Sequence, residues 1–209
     1  MPIRAEVYTA AGIAIGVVAR TGHLRDALES GGTLLLEQTT WHALDNAPPH
    51  PTGELNLPPD DIHIATGDEV DDFPVHAQWH DIVLEVGPYR VSGQMPTMPG
   101  FDPGRALARP SGEFVQLRDV TIGLLNEAEG GLARAMALVN RYVVDRVEAD
   151  LMLGFFFPGA VMVSTKPDEP VVVTSVPADP TPTSPSTSPP APPAPLSPHT
   201  PALDSTPAS

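Results

Sequence analysis

The feature that most constrains the fold of this chain is an internal repeat. Three short motifs recur in the same order in the two halves, each beside a run of β-favouring residues. The matched pairs are Arg25-Asp26-Ala27-Leu28 with Gly104-Arg105-Ala106-Leu107, Gly32 with Gly112, and Leu57-Pro58-Pro59 with Val139-Asn140-Arg141. Self-similarity of this kind is typical of one supersecondary unit that packs against its own copy. The repeat therefore predicts two tandem units, at residues 1–66 and 80–150.

Each unit is predicted to be a small antiparallel β-structure. In the first unit, Ala5, Val7 and Thr9 alternate with other residues, and a second apolar run follows a Gly12 turn, which indicates a β-hairpin. Leu24, Ala27 and Leu28 fall at helical spacing, which predicts a short helix. A third strand, a loop at residues 46–53 and a last strand broken at Pro58-Pro59 follow. The second unit has the same order, with a polar loop at residues 126–136, so four strands are predicted in each unit. The predicted fold class is mainly β: two tandem small antiparallel β-sheet or barrel-like units with short helical turns.

Three segments lie outside these units. Residues 67–79 are an acidic connector. Residues 166–209 are rich in Pro, Ser, Thr and Ala, and such a composition buries too little apolar surface to offset the entropy lost on ordering, so we predict a disordered tail. Between the second unit and the tail, residues 151–165 begin with the most hydrophobic run of the chain, which is too short to span a bilayer.

The apolar run has two interpretations. In the first, residues 151–165 pack on or between the units and fill the space where they meet. In the second, the run is an exposed apolar patch that binds a partner or a second copy. The interaction residues of that patch are Leu151, Met152, Phe155, Phe156 and Phe157.

The charge of the chain excludes some partners and is unevenly divided. The net charge is −15, which argues against nucleic acid and against an anionic membrane surface. No Lys or Arg occurs between Asp26 and Tyr89, whereas arginines recur from Arg90 onwards. Either the charges lie on solvated loops, or arginine-bearing faces of the second unit meet acidic faces of the first.

No motif for catalysis or metal binding emerges. His76 and His80 lie in a strand pattern, where residues four apart are separated by about 13 Å, too far to share one ion. Ser92 is the one serine worth checking as a nucleophile, but it lacks the Gly-x-Ser-x-Gly context. The chain has no cysteine, which excludes thiolate chemistry and disulfides. We therefore expect no catalytic residue, no cofactor, no metal site and no enzymatic activity. Without a convincing targeting signal or membrane span, we expect a cytoplasmic location.

Asn140-Arg141 is the most specific-looking dipeptide of the chain. A polar Asn between apolar strand halves often holds a bulge or turn through its side chain. We interpret Asn140 as structural and Arg141 as its exposed neighbour.

The segments that read YRVSG, RAL, FVQLRDVTI and VNRYVV also carry a resemblance. Residues 82–148 resemble a family of small bacterial β-domains of unknown function, seen here as two diverged tandem copies. Members of that family carry an Arg-x-x-Asp-x-Leu-Asn helix start; the first unit keeps this motif more closely, with Arg25, Asp26 and Leu28 as its structural residues, whereas the second unit has lost the Asp. The resemblance implies a compact β-architecture, similar in shape to Sm-like barrels, and brings no known activity.

Two functions remain open from the sequence, beside a third hypothesis, which is a hydrolase whose site carries no recognised motif. The first is a non-enzymatic interaction or scaffolding protein that binds a protein partner or itself, through β edges or through residues 151–163. The alternative is a small-molecule-binding or regulatory domain whose site is the cleft between the two units.

Overall fold

The chain begins with a β-hairpin in which buried and exposed residues alternate. Strand β1 (Ile3–Tyr8) pairs with β2 (Gly12–Val18), with Val7 opposite Ala14. The turn is closed by Thr9, whose backbone N–H and hydroxyl both donate to the Gly12 carbonyl, at 2.8 and 3.1 Å. Because successive strand residues point to opposite faces, one face of this hairpin is apolar and buried, and most residues of the other face are exposed or partly buried.

The structure is a computed structural model that describes residues 2–20, 22–68, 76–100, 112–127 and 130–165. The first strand group continues with α1 (Leu24–Glu29), β3 (Leu34–Ala43), β4 (His50–Leu57), a 3₁₀ turn (Pro59–Asp61) and β5 (Ile64–Gly67). The second strand group consists of β6 (Gln78–Val86), β7 (Tyr89–Thr97), β8 (Phe114–Leu124), β9 (Leu132–Asn140) and β10 (Val144–Ala149), and β11 (Val161–Ser164) follows it. Most of the predicted connector, the second short helix at residues 105–109, and the predicted tail lie outside the described residues.

The eleven strands in the described part of the chain belong to one sheet, in the order β11-β10-β6-β7-β8-β9-β5-β1-β2-β3-β4. The predicted mainly β class is confirmed. The first group is ordered β5-β1-β2-β3-β4, and the second group is ordered β10-β6-β7-β8-β9, so the order of strands within each group is the same. The groups join where β5 pairs with β9, with Ile64 opposite Val139 and Ala65 opposite Leu138. We call this pairing the junction.

The two groups also share local irregularities. The β2–β3 register shifts around Gly16, and the β7–β8 register shifts around Gly93. Opposite each glycine stands a residue with positive φ, which is Gln38 at 51° in β3 and Asp119 at 49° in β8. A β-bulge that bends a strand in this way is typical of small curled sheets, and both groups have it at the same place.

The glycines before β3 and β8 correct one of the sequence matches. Gly31 has a φ of 76° and Gly112 has a φ of 90°, so both adopt the left-handed conformation that glycine tolerates best. Gly32 is not among the positive-φ residues. The backbone counterpart of Gly112 is therefore Gly31, one residue before the predicted match.

Two predicted loops are partly strand. β4 begins at His50, inside the predicted loop 46–53, and β9 begins at Leu132, inside the predicted polar loop. Among the described residues each group has five strands instead of the predicted four, because the last predicted strand of each unit forms two strands, β4 and β5 in the first and β9 and β10 in the second. Pro51 and Gly53 favour a turn, but β4 is the last strand of the sheet, where a missing donor breaks no ladder. One face of β9 contacts the first strand group, and the polar residues of β9 have hydrogen-bond partners in that group.

Two buried clusters lie on either side of the junction, and each takes residues from the other group. The first cluster is built on β1, β2, β3 and α1, and it includes Phe114, Met136 and Leu138 of the second group. The second cluster is built on β6 to β10, and it includes Tyr8 and Ile64 of the first group. The exchange of apolar side chains makes the junction part of both cores.

Candidate functional site

The apolar segment packs against the second strand group. Leu153 and Phe157 are fully buried in the second cluster, while Leu151 and Phe156 pack against it. Phe155 and Phe156 meet edge to face, with ring centroids 6.3 Å apart. Of the five predicted interaction residues, Met152 is the most exposed, at 54%, whereas Phe157 is not exposed at all. An exposed patch therefore cannot include Phe157, and the partly exposed members are Leu151, Met152, Phe155 and Phe156.

After this segment, β11 forms the end of the sheet. It runs parallel to β10, with Val161 opposite Arg146 and Val163 opposite Glu148, and the Thr165 N–H donates to the Ala149 carbonyl at 2.9 Å. Val161 is 62% exposed, and the next three residues are partly exposed. β11 thus covers β10 but leaves its own outer edge without a partner strand in the described part of the chain.

The opposite end of the sheet is β4, and its character differs. It contains Pro51, Gly53 with a φ of 77°, and the charged residue Glu54. Proline, irregular backbone and charge are the features that keep an edge strand from pairing with other chains. The two ends of one sheet are therefore unequal: β4 is protected, and β11 is apolar.

Charged residues connect the two strand groups at the junction. Arg134 of β9 donates from Nε to Oε2 of Glu6 at 2.9 Å and from Nη2 to Oε1 at 2.8 Å. The hydrogen bond to Glu6 raises the pKa of Arg134. Burial, with the Glu6 carboxylate nearby, raises the pKa of the Tyr8 hydroxyl, which donates to the same carboxylate. An arginine of the second half thus meets an acid of the first, as the second interpretation of the charge pattern expects.

The residues of the helix-start motif occupy three different environments. Nη2 of Arg25 donates to the Phe114 carbonyl of β8 at 3.0 Å, so this side chain also reaches across to the second group. Leu28 is buried in the first cluster. Asp26 is exposed in the first turn of α1, where a negative charge suits the helix N-terminus.

Asn140 and Arg141 lie where β9 turns into β10. Oδ1 of Asn140 accepts from the Tyr142 N–H at 3.0 Å, and Nδ2 donates to the Pro59 carbonyl at 3.3 Å. Arg141 is 1% exposed, so the expectation of an exposed neighbour is wrong. Its Nη2 donates to the Phe155 carbonyl at 3.0 Å, and the guanidinium lies 5.4 Å from the Tyr142 ring centre. Arginine is rarely buried unless its donors are used, and here the carbonyl of the apolar segment provides an acceptor.

A small polar cluster that sequence reasoning missed surrounds His80. Its Nε2 lies 3.0 Å from Oγ1 of Thr97, and its Nδ1 lies 3.4 Å from Oδ1 of Asp150. The order hydroxyl, imidazole, carboxylate is that of a nucleophile triad. Thr97 is only 6% exposed, however, and its hydroxyl also lies 3.4 Å from the Gln78 carbonyl, an arrangement that suits structural hydrogen bonding. Nothing in the sequence spacing of these three residues brings them together. The pairing of β6 with β7 brings Thr97 to His80, and the pairing of β6 with β10 brings Asp150 to it.

The predicted serine and histidine candidates stay apart from one another. Ser92 lines a shallow groove of about 510 Å³ with Asp81, Gln94 and Glu148, and none of the described histidines lines that groove. His76 is exposed just before β6, whereas His80 is buried. Among the described residues, no group of three or more His, Asp or Glu side chains is placed to hold a metal ion. No helix in the described part of the chain is long and apolar enough to cross a membrane.

A second groove lies at the open end of the first strand group, and sequence reasoning did not find it. It has a volume of about 540 Å³ and is lined by the β1–β2 turn, by Trp41, Leu55 and Leu57, and by the side chains of His50, Asp60, Asp61 and His63. We call it the Trp41 groove. Gly12 allows the indole to lie against the backbone, because a Cβ there would stand 2.6 Å from Cζ2 of Trp41.

His63 connects the Trp41 groove to the second strand group. Its ring packs against Gly87 in the β6–β7 turn, where a Cβ would stand 2.6 Å from Cε1. Burial lowers the pKa of the imidazole below its ordinary 6.5, although the charges of Asp145 and Asp61 oppose this shift. The ring is therefore neutral at pH 7 and is held in place by the neighbouring group.

Comparisons with family models, with curated proteins and with solved structures gave no match to this chain. Function is therefore inferred from the geometry of the chain itself.

Proposed function

We propose that this protein is a non-enzymatic interaction protein that self-associates, and that the outer edge of β11 makes the contact between two copies. One observation supports this most strongly: β11 ends the sheet with uncharged, proline-free residues, and Val161 is 62% exposed. An unprotected strand edge offers a row of N–H and C=O groups to another chain. A second β11 is the matching occupant, because two-fold symmetry lets identical edges satisfy each other.

The surroundings of β11 add apolar surface to this edge. Gly154 lies close to Met162, since a Cβ at position 154 would stand 3.4 Å from Cγ of Met162. The loop that contains Gly154 therefore packs beside β11. The same loop contains Met152, which is 54% exposed, and the partly exposed Phe155. Exposed apolar side chains next to an open strand edge are typical of a contact surface.

The β4 edge supports the proposal by contrast. If the bulges at Gly16 and Gly93 are aligned, Met136 and Leu138 of β9 correspond to Glu54 and Asn56 of β4. Met136 and Leu138 enter the first cluster at the junction, whereas Glu54 and Asn56 are exposed. β4 therefore has polar residues at the positions where the junction strand β9 has apolar ones. This difference disfavours the head-to-tail addition of another copy of the chain at the β4 end of the sheet.

The proposed contact is small, so we expect the association to be weak. A four-residue strand with one apolar loop buries less than the roughly 1,200 Å² that stable complexes bury. We therefore expect a weak dimer with a dissociation constant in the micromolar range. A contact of this kind suits reversible assembly better than an obligate dimer.

Sedimentation velocity of the full chain tests the proposal at concentrations up to about 500 µM, well above a micromolar dissociation constant. We expect concentration-dependent dimers of the unaltered chain and monomers of V161K, because the added charge would have to be buried. N56K, at an exposed position on β4 outside the Trp41 groove, is the matched control and should dimerise like the unaltered chain. A chain that is monomeric throughout, or V161K dimers of undiminished affinity, would refute the proposal.

The shared strand order and bulges also support an internal duplication, which we propose as the origin of the two groups. Superposing residues 5–66 on 80–148 should place Gly16 on Gly93 and Gln38 on Asp119. An overlay that fits better with other strands matched would contradict it.

A further inference from the structure

A groove that is part aromatic and part acidic lies apart from β11. The Trp41 groove has a volume of about 540 Å³, which is within the range of small-molecule sites. Trp41 and Leu55 pack against the first cluster on one side and line the groove on the other. The walls are therefore supported by the core and do not depend on a ligand for their position.

The charge of the Trp41 groove has one sign. Asp60 and Asp61 stand on the 3₁₀ turn at its rim, and no Lys or Arg of the described residues lines it. The sequence around it has no Lys or Arg between Asp26 and Tyr89. An aromatic face and nearby carboxylates both attract a cation, the first through its quadrupole and the second through charge.

These features belong to the first strand group alone. With the bulges aligned, the positions of Trp41, Asp60 and Asp61 correspond to Ile122, Tyr142 and Val143 in the second group. A groove with the same shape in the second group would lack the indole and both carboxylates. The chemistry of the Trp41 groove is therefore not a by-product of the shared strand order.

We infer that the Trp41 groove binds a small organic cation, with the charged ammonium or guanidinium group against Trp41 and the Asp60 and Asp61 carboxylates and the apolar part on Leu55 and Leu57. All of these residues come from the first strand group, and the second group contributes by holding His63 through the Gly87 turn. The site is thus beside the junction and not between the two groups. It does not depend on self-association, because β11 contributes nothing to it.

The probe for this inference is benzylammonium, with benzyl alcohol and benzoate as uncharged and anionic analogues of the same ring. In NMR titrations of the full chain, the indole N–H of Trp41 should shift saturably with benzylammonium. The indole of Trp79, which lies against the Arg118 guanidinium at 3.5 Å, should not shift. Benzyl alcohol should bind at least about fivefold more weakly, as expected for loss of a cation–π contact, and benzoate should not bind.

Variants separate charge at the groove from charge in general. D60N/D61N should weaken benzylammonium binding at least about fivefold, whereas D45N/E54Q, which removes two exposed carboxylates elsewhere, should change it less than about twofold. V161K should bind like the unaltered chain whether or not it dimerises. Equal binding of benzyl alcohol, equal weakening by the two double variants, or no shift of the Trp41 signal would each overturn the inference.

Discussion

Arg134 and Glu6 form a two-point ion pair across the junction, with Nε–Oε2 and Nη2–Oε1 distances of 2.9 and 2.8 Å. The two side chains are 29% and 23% exposed, so water screens them only in part. Glu6 also accepts from the Tyr8 hydroxyl at 3.0 Å. The carboxylate of the first group is thus held by a cation of the second group and by a tyrosine that enters the second cluster.

Removing this cation should weaken the whole fold, because the junction is part of both cores. We expect R134M to lower the free energy of unfolding by about 1–3 kcal/mol, the usual cost of leaving a partly buried charge without its partner. Urea denaturation measures it. R90M, which removes an arginine that is 49% exposed from its contact with Glu148, should cost less than about 1 kcal/mol. Equal losses in the two variants would show that the junction pair stabilises the fold no more than an exposed ion pair does.

Ile64 tests the exchange of apolar side chains at the junction. It is fully buried, it lies on β5, and it packs in the second cluster. Ile64→Ala should cost about 2–5 kcal/mol, the range for cavities in well-packed cores. Val161→Ala, at an exposed apolar position, should change the free energy of unfolding by less than about 0.5 kcal/mol. A small loss for Ile64→Ala would mean that the second core does not need the first strand group.

Gly87 is required for two reasons that can be separated. Its φ is 53°, and a Cβ would stand 2.6 Å from the His63 ring. Gly100 has a φ of 75° with no atom within 4 Å of an added Cβ, so Gly100→Ala reports backbone strain alone. We expect Gly87→Ala to cost about 1–3 kcal/mol more than Gly100→Ala, because only the former must displace a ring. Similar denaturation midpoints for the two variants would contradict the tight contact with His63.

The lowered pKa of His63 predicts a pH dependence of stability. Burial disfavours the charged ring in the folded chain, so between pH 6.5 and the lower folded pKa the unfolded chain binds more protons. Stability from this group is therefore complete above pH 6.5 and is lost as the pH falls through the folded pKa. His63→Gln should lose less stability than the unaltered chain between about pH 7.5 and 5.5 in urea titrations. His76→Gln, at an exposed position, should lose as much as the unaltered chain; identical losses in all three proteins would argue against the shift.

The sequence was sufficient for the fold class because its strands alternate and its turns carry glycine. It identified the hairpin at Gly12, the short helix at Leu24 and the break at Pro58-Pro59. It misread the start of β9, although Arg134, Met136 and Leu138 are spaced by two, because their polar and small neighbours resembled a loop. A strand whose two faces both meet apolar or charged partners lacks the simple alternation of a one-sided sheet.

The candidate sites were harder to predict from the sequence than the fold class. Trp41, Leu55 and Asp61 are distant in sequence, and only the curling of β3 and β4 against the 3₁₀ turn brings them into one groove. Arg141 looked exposed because arginine usually is, and its acceptor, the Phe155 carbonyl, is a backbone atom that no side-chain pattern reveals. Exposure of β11 depends on its place at the end of the sheet, which is a property of topology and not of the four residues themselves.

Whether two copies join through β11 is the central question, and the absence of cysteine from the chain makes it directly measurable. Val161→Cys and Thr52→Cys each introduce a single thiol for a nitroxide spin label, at β11 and at β4. Pulsed dipolar spectroscopy at about 500 µM should give an intermolecular distance below about 25 Å for the label at 161, because paired strands lie about 4.8 Å apart, and a much longer distance or none for the label at 52. A short distance at position 52, or no dipolar coupling at position 161, would contradict the account.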